Sequence, residues 1–575
     1  MKKMYMSMMI IWIGFCGLLC DTINVPDDYT TIQGAINNAE NGDLILVAEG
    51  TYYENIDFLG KSITVASHFY LDNELDHILN TIINGSQPDD PALASCVRML
   101  SGEDSNTVLL GFTLTGGQGT AYEFAVNAVY KEGGCIITDN STAIIKNNLI
   151  IENEALVIAG TLGGGGGGIS AIFSSPQIMN NVIMLNTASY AAGLVLNWSG
   201  GLVKNNIIYA NYGGGDFGTG GLMVWDVGPT TAVVENNTIV GNISYSTAGG
   251  LSVTNSSAVI RNNIIWGNQQ VSGLQVTGIN NSTFEYCCLE DEMNGEGHVF
   301  DYPEFTTENF ILSALSACID SGDPTAEFYD IEDPAFPGNA LFPSLGGLRN
   351  DIGAYGGDYA QLLPEVEYED LILPEMIEFS SNLTVGETDT IEFSIMNMST
   401  KAFEISYIDG IDPDLQYEGN DFDLLLKQFK QGTISFSWTP MTAGWLSSFI
   451  YIYHNFTSYD NPLIIPVSGN AAGTHSPEDF IYPGTIGLHN YPNPFNPQTV
   501  IEFHLPTEMS RDDIKLEIYN SKGQLVRYFS VESDQSSVIW NGKDDMGRAV
   551  VSGVYYFSIL QGKNTISTEK GVLLK

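Results

Sequence analysis

Ile145-Lys146-Asn147-Asn148-Leu149-Ile150-Ile151-Glu152-Asn153 is the first of five copies of one phrase; the others begin at Ile178, Val203, Val234 and Ile260 and end at Asn186, Asn211, Asn242 and Asn268. The common form is apolar-x-Asn-Asn-x-apolar-x-x-Asn. Its first Asn falls at 147, 180, 205, 236 and 262, so the spacings are 33, 25, 31 and 26. A period that varies this way suits stacked coils joined by loops of different length. Each copy also follows a small-residue pair: Gly133-Gly134, Gly167-Gly168, Ala192-Gly193, Gly220-Gly221 and Gly249-Gly250. One coil therefore holds at least two short strands and a sharp corner.

The residue types give the physical reason. Period-two alternation turns Ile145, Val203 and Ile260 inward and Lys204 and Arg261 outward. Asn tolerates the left-handed backbone of a tight corner. Coils stacked at about 4.8 Å bring equivalent Asn amides close enough to form ladders. A helical solenoid is disfavoured, because Gly, Asn and β-branched residues oppose helix formation. The expected fold is all-β, beginning with a parallel β-helix.

The opening stretch, Val25-Pro26-Asp27-Asp28-Tyr29-Thr30-Thr31-Ile32 onward, followed by Gly42-Asp43 and Gly50-Thr51-Tyr52, resembles the start of the pectin-lyase-like superfamily. That resemblance implies a right-handed β-helix over 21–362, with a short capping helix over Ile32 to Ala39 and the first coils beginning at Gly50-Thr51-Tyr52-x-Glu54. Leu315-Ser316-Ala317-Cys318-Ile319-Asp320 and Arg349-Asn350-Asp351-Ile352-Gly353 are similar to a closing arrangement in exported β-helix proteins.

At about Leu363 the Asn pattern stops. A Pro-bounded acidic stretch, 363–374, reads as a linker. Alternating runs such as Thr390–Ile395, Thr433–Trp438 and Phe449–Tyr453 suit an immunoglobulin-like sandwich over 375–472, with a spacer role as the default. Residues 476–575 resemble a type IX secretion sorting domain of two-membrane bacteria. The motif Tyr491-Pro492-Asn493-Pro494-Phe495-Asn496-Pro497 carries the resemblance, with Trp540-Asn541-Gly542-Lys543-Asp544, Gly553-Val554-Tyr555-Tyr556 and the ending Lys570-Gly571-Val572-Leu573-Leu574-Lys575. It implies the type IX machinery as a partner and a protein secreted from, or attached to, the outer surface of such a bacterium. Residues 1–20 read as the matching signal peptide, with Lys2 and Lys3 before an apolar run. Leu19 stands where a lipid-anchored protein has a small residue, so Cys20 is not read as lipidated. No later segment has the run of about 20 apolar residues that a spanning helix needs.

The 21 basic and 68 acidic residues give a net charge of −47, which argues against nucleic acid as a partner. Removing Cys16 and Cys20 with the signal leaves five of the seven cysteines, an odd number without a Cys-x-x-Cys. No cofactor is required; calcium is a candidate at the Asp320, Asp323 and Asp351 loops, because it takes oxygen ligands.

β-Helices serve as polysaccharide lyases and hydrolases, but fold alone decides nothing. Between 131 and 285 the basic residues are Lys131, Lys146, Lys204 and Arg261, and the last three share one outward position, read as a solvated column rather than a lyase base. Asp216 and Asp226 are the nearest carboxylate pair for hydrolysis, though Asp in a Gly-rich loop is normally a turn residue. The run Gly163 to Gly168 reads as a flexible corner. The expected function is adhesion to, or binding of, extracellular polysaccharide. The alternatives are a lyase or glycoside hydrolase acting on polyuronates, and a structural surface protein. A ligand surface is sought in the outward column Ile151, Met184, Tyr209, Val240 and Trp266, where Met184, Tyr209 and Trp266 are the candidate sugar contacts. The competing account buries this column as secondary core under a long loop, such as 210–220.

Overall fold

The structure, a computed structural model, describes residues 20–575 apart from 158–159, 216–217, 227–230, 271–272, 307–308, 381–382, 411, 413, 419–424, 473–486, 492–494, 496, 505–513, 521–523, 532–536, 562–563 and 574–575. The signal stretch thus lies outside the described residues except for Cys20, as does Asp216. The chain divides into two compact units, 1–441 with 445–471 and 442–444 with 472–575.

The first unit opens as a parallel β-helix. A first sheet runs from Thr22–Val25 to Thr283–Glu285, a second from Gly50–Tyr52 to Cys288–Leu289, and a third from Ile56–Asp57 to Val276–Thr277. A short fourth stack runs from Glu154–Ala155 to Gln269–Gln270. The register is the alignment of the repeat. Ile145, Ile178, Val203, Val234 and Ile260 stack in the first sheet, and Ile150, Ile183, Ile208, Ile239 and Ile265 stack in the second. All ten are in the inner core.

The three Asn of each copy divide the work. The first, at 147, 180, 205, 236 and 262, bends with φ between 51° and 56°. The second forms a ladder: Asn148 Nδ2 donates to Asn181 Oδ1 at 3.1 Å, Asn181 to Asn206 at 3.0 Å, Asn206 to Asn237 at 2.9 Å, and Asn237 to Asn263 at 3.0 Å. The third Asn repeats this from Asn153 through Asn186, Asn211 and Asn242 to Asn268. Each inner amide also donates to a backbone carbonyl, which satisfies the buried side chain of the second Asn.

The N-terminal end is closed by the helix Ile32–Asn38, capped by Thr31. Glu54 accepts from the free N–H groups of Ile32 and Gln33, both at 2.9 Å. Lys61 Nζ donates to the carbonyls of Ile36, Asn37 and Ala39 at the other end. The two side chains thus satisfy opposite ends of the helix dipole.

The stretch expected to close the far end does something else. It returns along the side of the solenoid, over the column of first Asn residues. Asn262 Oδ1 accepts from Asp323 N; Asn236 Nδ2 donates to Asp351 O, Asn205 Nδ2 to Ala354 O and Gly356 O, and Asn180 Nδ2 to Tyr359 O. The chain then enters a sandwich of two sheets, built around Asp389–Asn397 with Gln431–Trp438 and around Gly444–His454 with Phe403–Gly410 and Leu463–Ala472. Leu371–Ile372 already pairs with Asp389–Asn397, so the stretch read as a linker carries a strand of this sandwich.

The second unit holds two antiparallel sheets of three and four strands among its described residues. Its core is Trp540 against Phe495, Tyr555 and Phe557. Phe495 of the sorting motif is buried there. Pro497 is described and exposed, whereas Pro492, Asn493, Pro494 and Asn496 lie outside the described residues and the side chain of Tyr491 is not described.

The ladder predicts a measurable cost. Asn206→Ala removes the acceptor for Asn181 and the donor to Asn237, Ile178 O and Lys204 O. With about 1–3 kcal/mol lost for each buried group left unpaired, chemical denaturation should register a loss of at least about 3 kcal/mol; a loss below about 1 kcal/mol would contradict this account of the ladder.

Candidate functional site

The outward column of the second sheet is covered. Tyr209 is 1 % exposed and Trp266 7 %, and Met184 is also buried. The cover is a second core made by Tyr302, Phe305 and Phe310, by Ile352, Tyr355 and Leu363, and by Met398 and Phe429 of the sandwich, and Ala210 of the 210–220 stretch packs against it. Tyr209 donates its hydroxyl to Met398 O at 2.5 Å and meets Phe310 and Phe429 edge-on. Trp266 meets Tyr302, whose hydroxyl donates to Gln428 O at 2.9 Å. Phe429 enters where the coils narrow to glycine: a Cβ on Gly241 or Gly267 would come within 2.7 or 2.6 Å of its ring or Cβ. No sugar reaches Tyr209, Trp266 or Met184 while this packing holds, so they are core, not a platform.

The calcium candidates are spent on the backbone. Asp320 accepts from Gly347 N, Asp351 from Asp320 N and Leu345 N, and Asp323 from Thr325 N. The cation facing Asp323 is Arg261, at 3.7 Å. Among the described residues, no group of three or more His, Cys, Asp or Glu is placed to hold a metal ion. Two members of the outward basic column, Lys204 and Arg261, are not solvated, whereas Lys146 is half-buried. Lys204 is buried between Glu235 and Asp358, each at 2.7 Å, and Arg261 pairs with Glu235 at 3.2 Å under Phe328. Cys287 faces the inner core and Cys288 the outer one, where Cys318 also lies, and all the buried cysteines are free thiols.

The unexpected surface lies on the third sheet. Gly119–Ala125 and Ala128–Glu132 form an antiparallel hairpin that leaves the solenoid and brings Tyr122, Phe124 and Tyr130 together. Phe124 lies 5.4 Å from the ring of Trp198, which stacks on Phe173 at 5.4 Å and 17°. Tyr130 lies 6.4 Å from Tyr190, and Tyr190 6.4 Å from Trp225. Phe173 is 49 % exposed and the other rings are half-buried.

Phe173 and Trp198 sit at a corner column, Asn140, Phe173, Trp198, Asp226, Asn255, whose φ values run from 45° to 51°. That bend costs an ordinary L-residue about 1–2 kcal/mol, and Asn less. Another corner column bends the same way with Glu152, Leu185 and Ala210, so the coil demands the bend whatever the side chain. Two large rings at a place where neighbouring coils use Asn or Asp need a reason other than backbone geometry, and strained positions of this kind collect at functional sites.

Carboxyl groups flank the rings. Ser170 Oγ donates to Glu132 at 2.6 Å and the Tyr190 hydroxyl reaches its other oxygen. Burial pushes the Glu132 carboxyl up to about 8, against the pull of those two bonds. Burial also raises Asp139, which is bonded to the Tyr122 hydroxyl, and Tyr122 is pushed up to about 12 by burial and by Asp139. The Gly163 to Gly168 run serves this packing. Gly164–Gly165 is a strand beside Lys131 and Glu132, and a Cβ on Gly165 would fall 2.1 Å from the Tyr190 ring.

The corner was readable in principle: Phe173, Trp198, Asp226 and Asn255 each stand five residues after Gly168, Gly193, Gly221 and Gly250. The hairpin that completes the surface was not, because nothing in its sequence says which sheet it leans on.

Fold and surface define an all-β protein: a parallel β-helix with an aromatic, carboxyl-flanked face, followed by immunoglobulin-like sandwiches. Residues 494–564 match the FlgD Ig-like domain family. No curated protein matches the chain. Among solved structures, parts of it are similar to a protein of unknown function from Porphyromonas gingivalis W83 (15 % identity, 18 % of this chain and 46 % of that one, TM-score 0.16). Others are similar to PorZ, described as an essential surface component of the type IX secretion system of that species (21 % identity, 22 % and 15 %, TM-score 0.13), and to its dimeric latent PorU (15 % identity, 38 % and 22 %, TM-score 0.14). The chain spans less than half the length of each of these three structures. Among the described residues no helix is long and apolar enough to cross a membrane.

The buried acids predict a pH dependence. Glu132 and Asp330 are raised to about 8 and Asp351 to about 7, by burial first, with Asp351 adding to Asp330. Unfolded carboxyls ionise near about 4, so between there and pH 8 the folded state holds more protons and stability falls as pH rises. Thermal unfolding should give a lower Tm at pH 8 than at pH 5. Glu132→Gln should shrink that difference and raise Tm at pH 8; a profile parallel to the parent's would refute the assignment to Glu132.

Proposed function

We propose that this chain is a protein exported by the type IX machinery and displayed at the outer surface of a two-membrane bacterium, where its β-helix binds extracellular polysaccharide. The binding reading is supported by one observation, the stacked Phe173–Trp198 pair held in strained corners beside Phe124 and carboxyl groups. Flat aromatic faces suit the apolar faces of sugar rings, and polar groups at their edges suit hydroxyls. The export reading is supported by the Tyr491–Pro497 motif and the terminal Lys570–Lys575 stretch of the second unit.

Hydrolysis of the bound glycan is the second reading, favoured by a carboxyl, Glu132, that burial keeps protonated at neutral pH. Against it, Glu132 is fully buried and both its oxygens are engaged by Ser170 and Tyr190.

Deleting 476–575 should strand the protein in the periplasm with its β-helix folded; arrival of the truncated chain at the surface would refute the export reading. For binding, full-length protein should be retained on an immobilised glycan panel. Phe173→Ala with Trp198→Ala should weaken retention by about tenfold or more, with Tm nearly unchanged. Lost retention with a Tm lower by several degrees would assign the rings to packing alone. New reducing ends that vanish in Glu132→Gln would favour hydrolysis, and neither retention nor turnover would leave a structural surface protein.

A further inference from the structure

We infer that the polymer held on the third-sheet surface is a neutral polysaccharide, of the glucan, mannan or xylan type, and not a polyuronate or a sulfated glycan. This deepens the glycan-binding reading above and rests on it.

Among the described residues, the fixed charges open to solvent beside the rings are carboxyl groups. Asp139 ends its strand beside Tyr122. Asp226 takes the next corner after Trp198, whose N–H donates to Trp225 O in the same stack. Glu123 is exposed on the hairpin that carries Phe124. Arg98, on the third sheet beside Ile137, is committed to Asp57 and to Leu93 O, and of the three basic residues between Gly119 and Ile260, Lys131, Lys146 and Lys204, two are committed elsewhere. Lys131, 3 % exposed, donates to Pro91 O at 2.5 Å and Gly119 O at 2.9 Å. Lys204 lies between Glu235 and Asp358 on the first sheet. Lys146 also belongs to that sheet, beyond the corner of Asn140.

An anionic sugar needs a cation or a bidentate donor to replace the water it gives up on binding. Here it would meet carboxylates instead, on a chain whose net charge of −47 repels a polyanion before contact. A neutral chain meets no such barrier. Its hydroxyls can donate to Asp139 and Asp226, while its C–H faces lie on Phe173 and Trp198. The series from Phe173 through Trp198, Phe124, Tyr130 and Tyr190 to Trp225 keeps each ring centroid within 6.4 Å of the next, which suits a polymer better than one sugar.

The test uses full-length protein in affinity electrophoresis against soluble β-glucan, glucomannan and xylan beside polygalacturonate and alginate, at low and high salt. Retardation by at least one neutral glycan and by neither polyuronate is the expected result. Asp139→Asn with Asp226→Asn should then admit polyuronate, most clearly at high salt, where repulsion is screened. Retardation by a polyuronate and by no neutral glycan overturns this inference and leaves the glycan-binding reading intact. Retardation by none of the five overturns both. Neutral binding that survives unchanged in Phe173→Ala with Trp198→Ala removes the third sheet as its site.

Discussion

The solenoid depends on a backbone that must bend left-handedly at the same places in every coil and then bury the polar groups of each bend. Asn meets both demands. As the first residue of the pair it tolerates φ near 55°, and as the second its amide fits between the coil below and the coil above. Such an amide is satisfied only when the next coil stands in register, so the ladder that makes the corners affordable also fixes the stacking. Strand lengths and inward residues are then set by the phrase, while the loops between phrases vary in length without disturbing it.

The outward side of the second sheet carries the same logic to the rest of the unit. Its column ends in Tyr209 and Trp266, too apolar to stay in water, and the chain covers it with its own later segments. The returning strap is held by the amides of Asn180, Asn205 and Asn236, and the sandwich by Phe429 in the space left at Gly241 and Gly267. The sandwich is therefore packed onto the solenoid and is not a trailing spacer. Tyr209, bonded to Met398 O, ties its stability to that of the coils.

Electrostatics follows from scarcity. With 21 basic residues against 68 acidic ones, cations sit where buried carboxylates require them: Lys204 and Arg261 around Glu235, and Lys401 on Glu369. Acids without such a partner, Glu132 and Asp330, are held with raised affinity for a proton. The exposed aromatic face of the third sheet is left with carboxylates and no free cation among its described neighbours, and that combination sets what it can hold.

The repeat was legible because it is local: period two, an αL-tolerant residue and a small-residue pair each act within a few positions, and the register between coils repeats the sequence alignment residue for residue. The sequence alone therefore determined a parallel β-helix with Asn corners and β-sandwich patterns after it, while the capping helix near Ile32 was implied by the resemblance of the opening stretch. It also singled out the outward column at 151, 184, 209, 240 and 266. What it did not contain was the neighbour of that column. Whether Tyr209 faces water or Phe429 depends on a contact between residues more than 200 positions apart, and no local period encodes it. The same holds for the hairpin that brings Phe124 to Trp198 and for Asp323, whose carboxylate faces Arg261. Tertiary structure decided which apolar face is core and which remains open, because burial is a property of what packs against a residue and not of the residue itself.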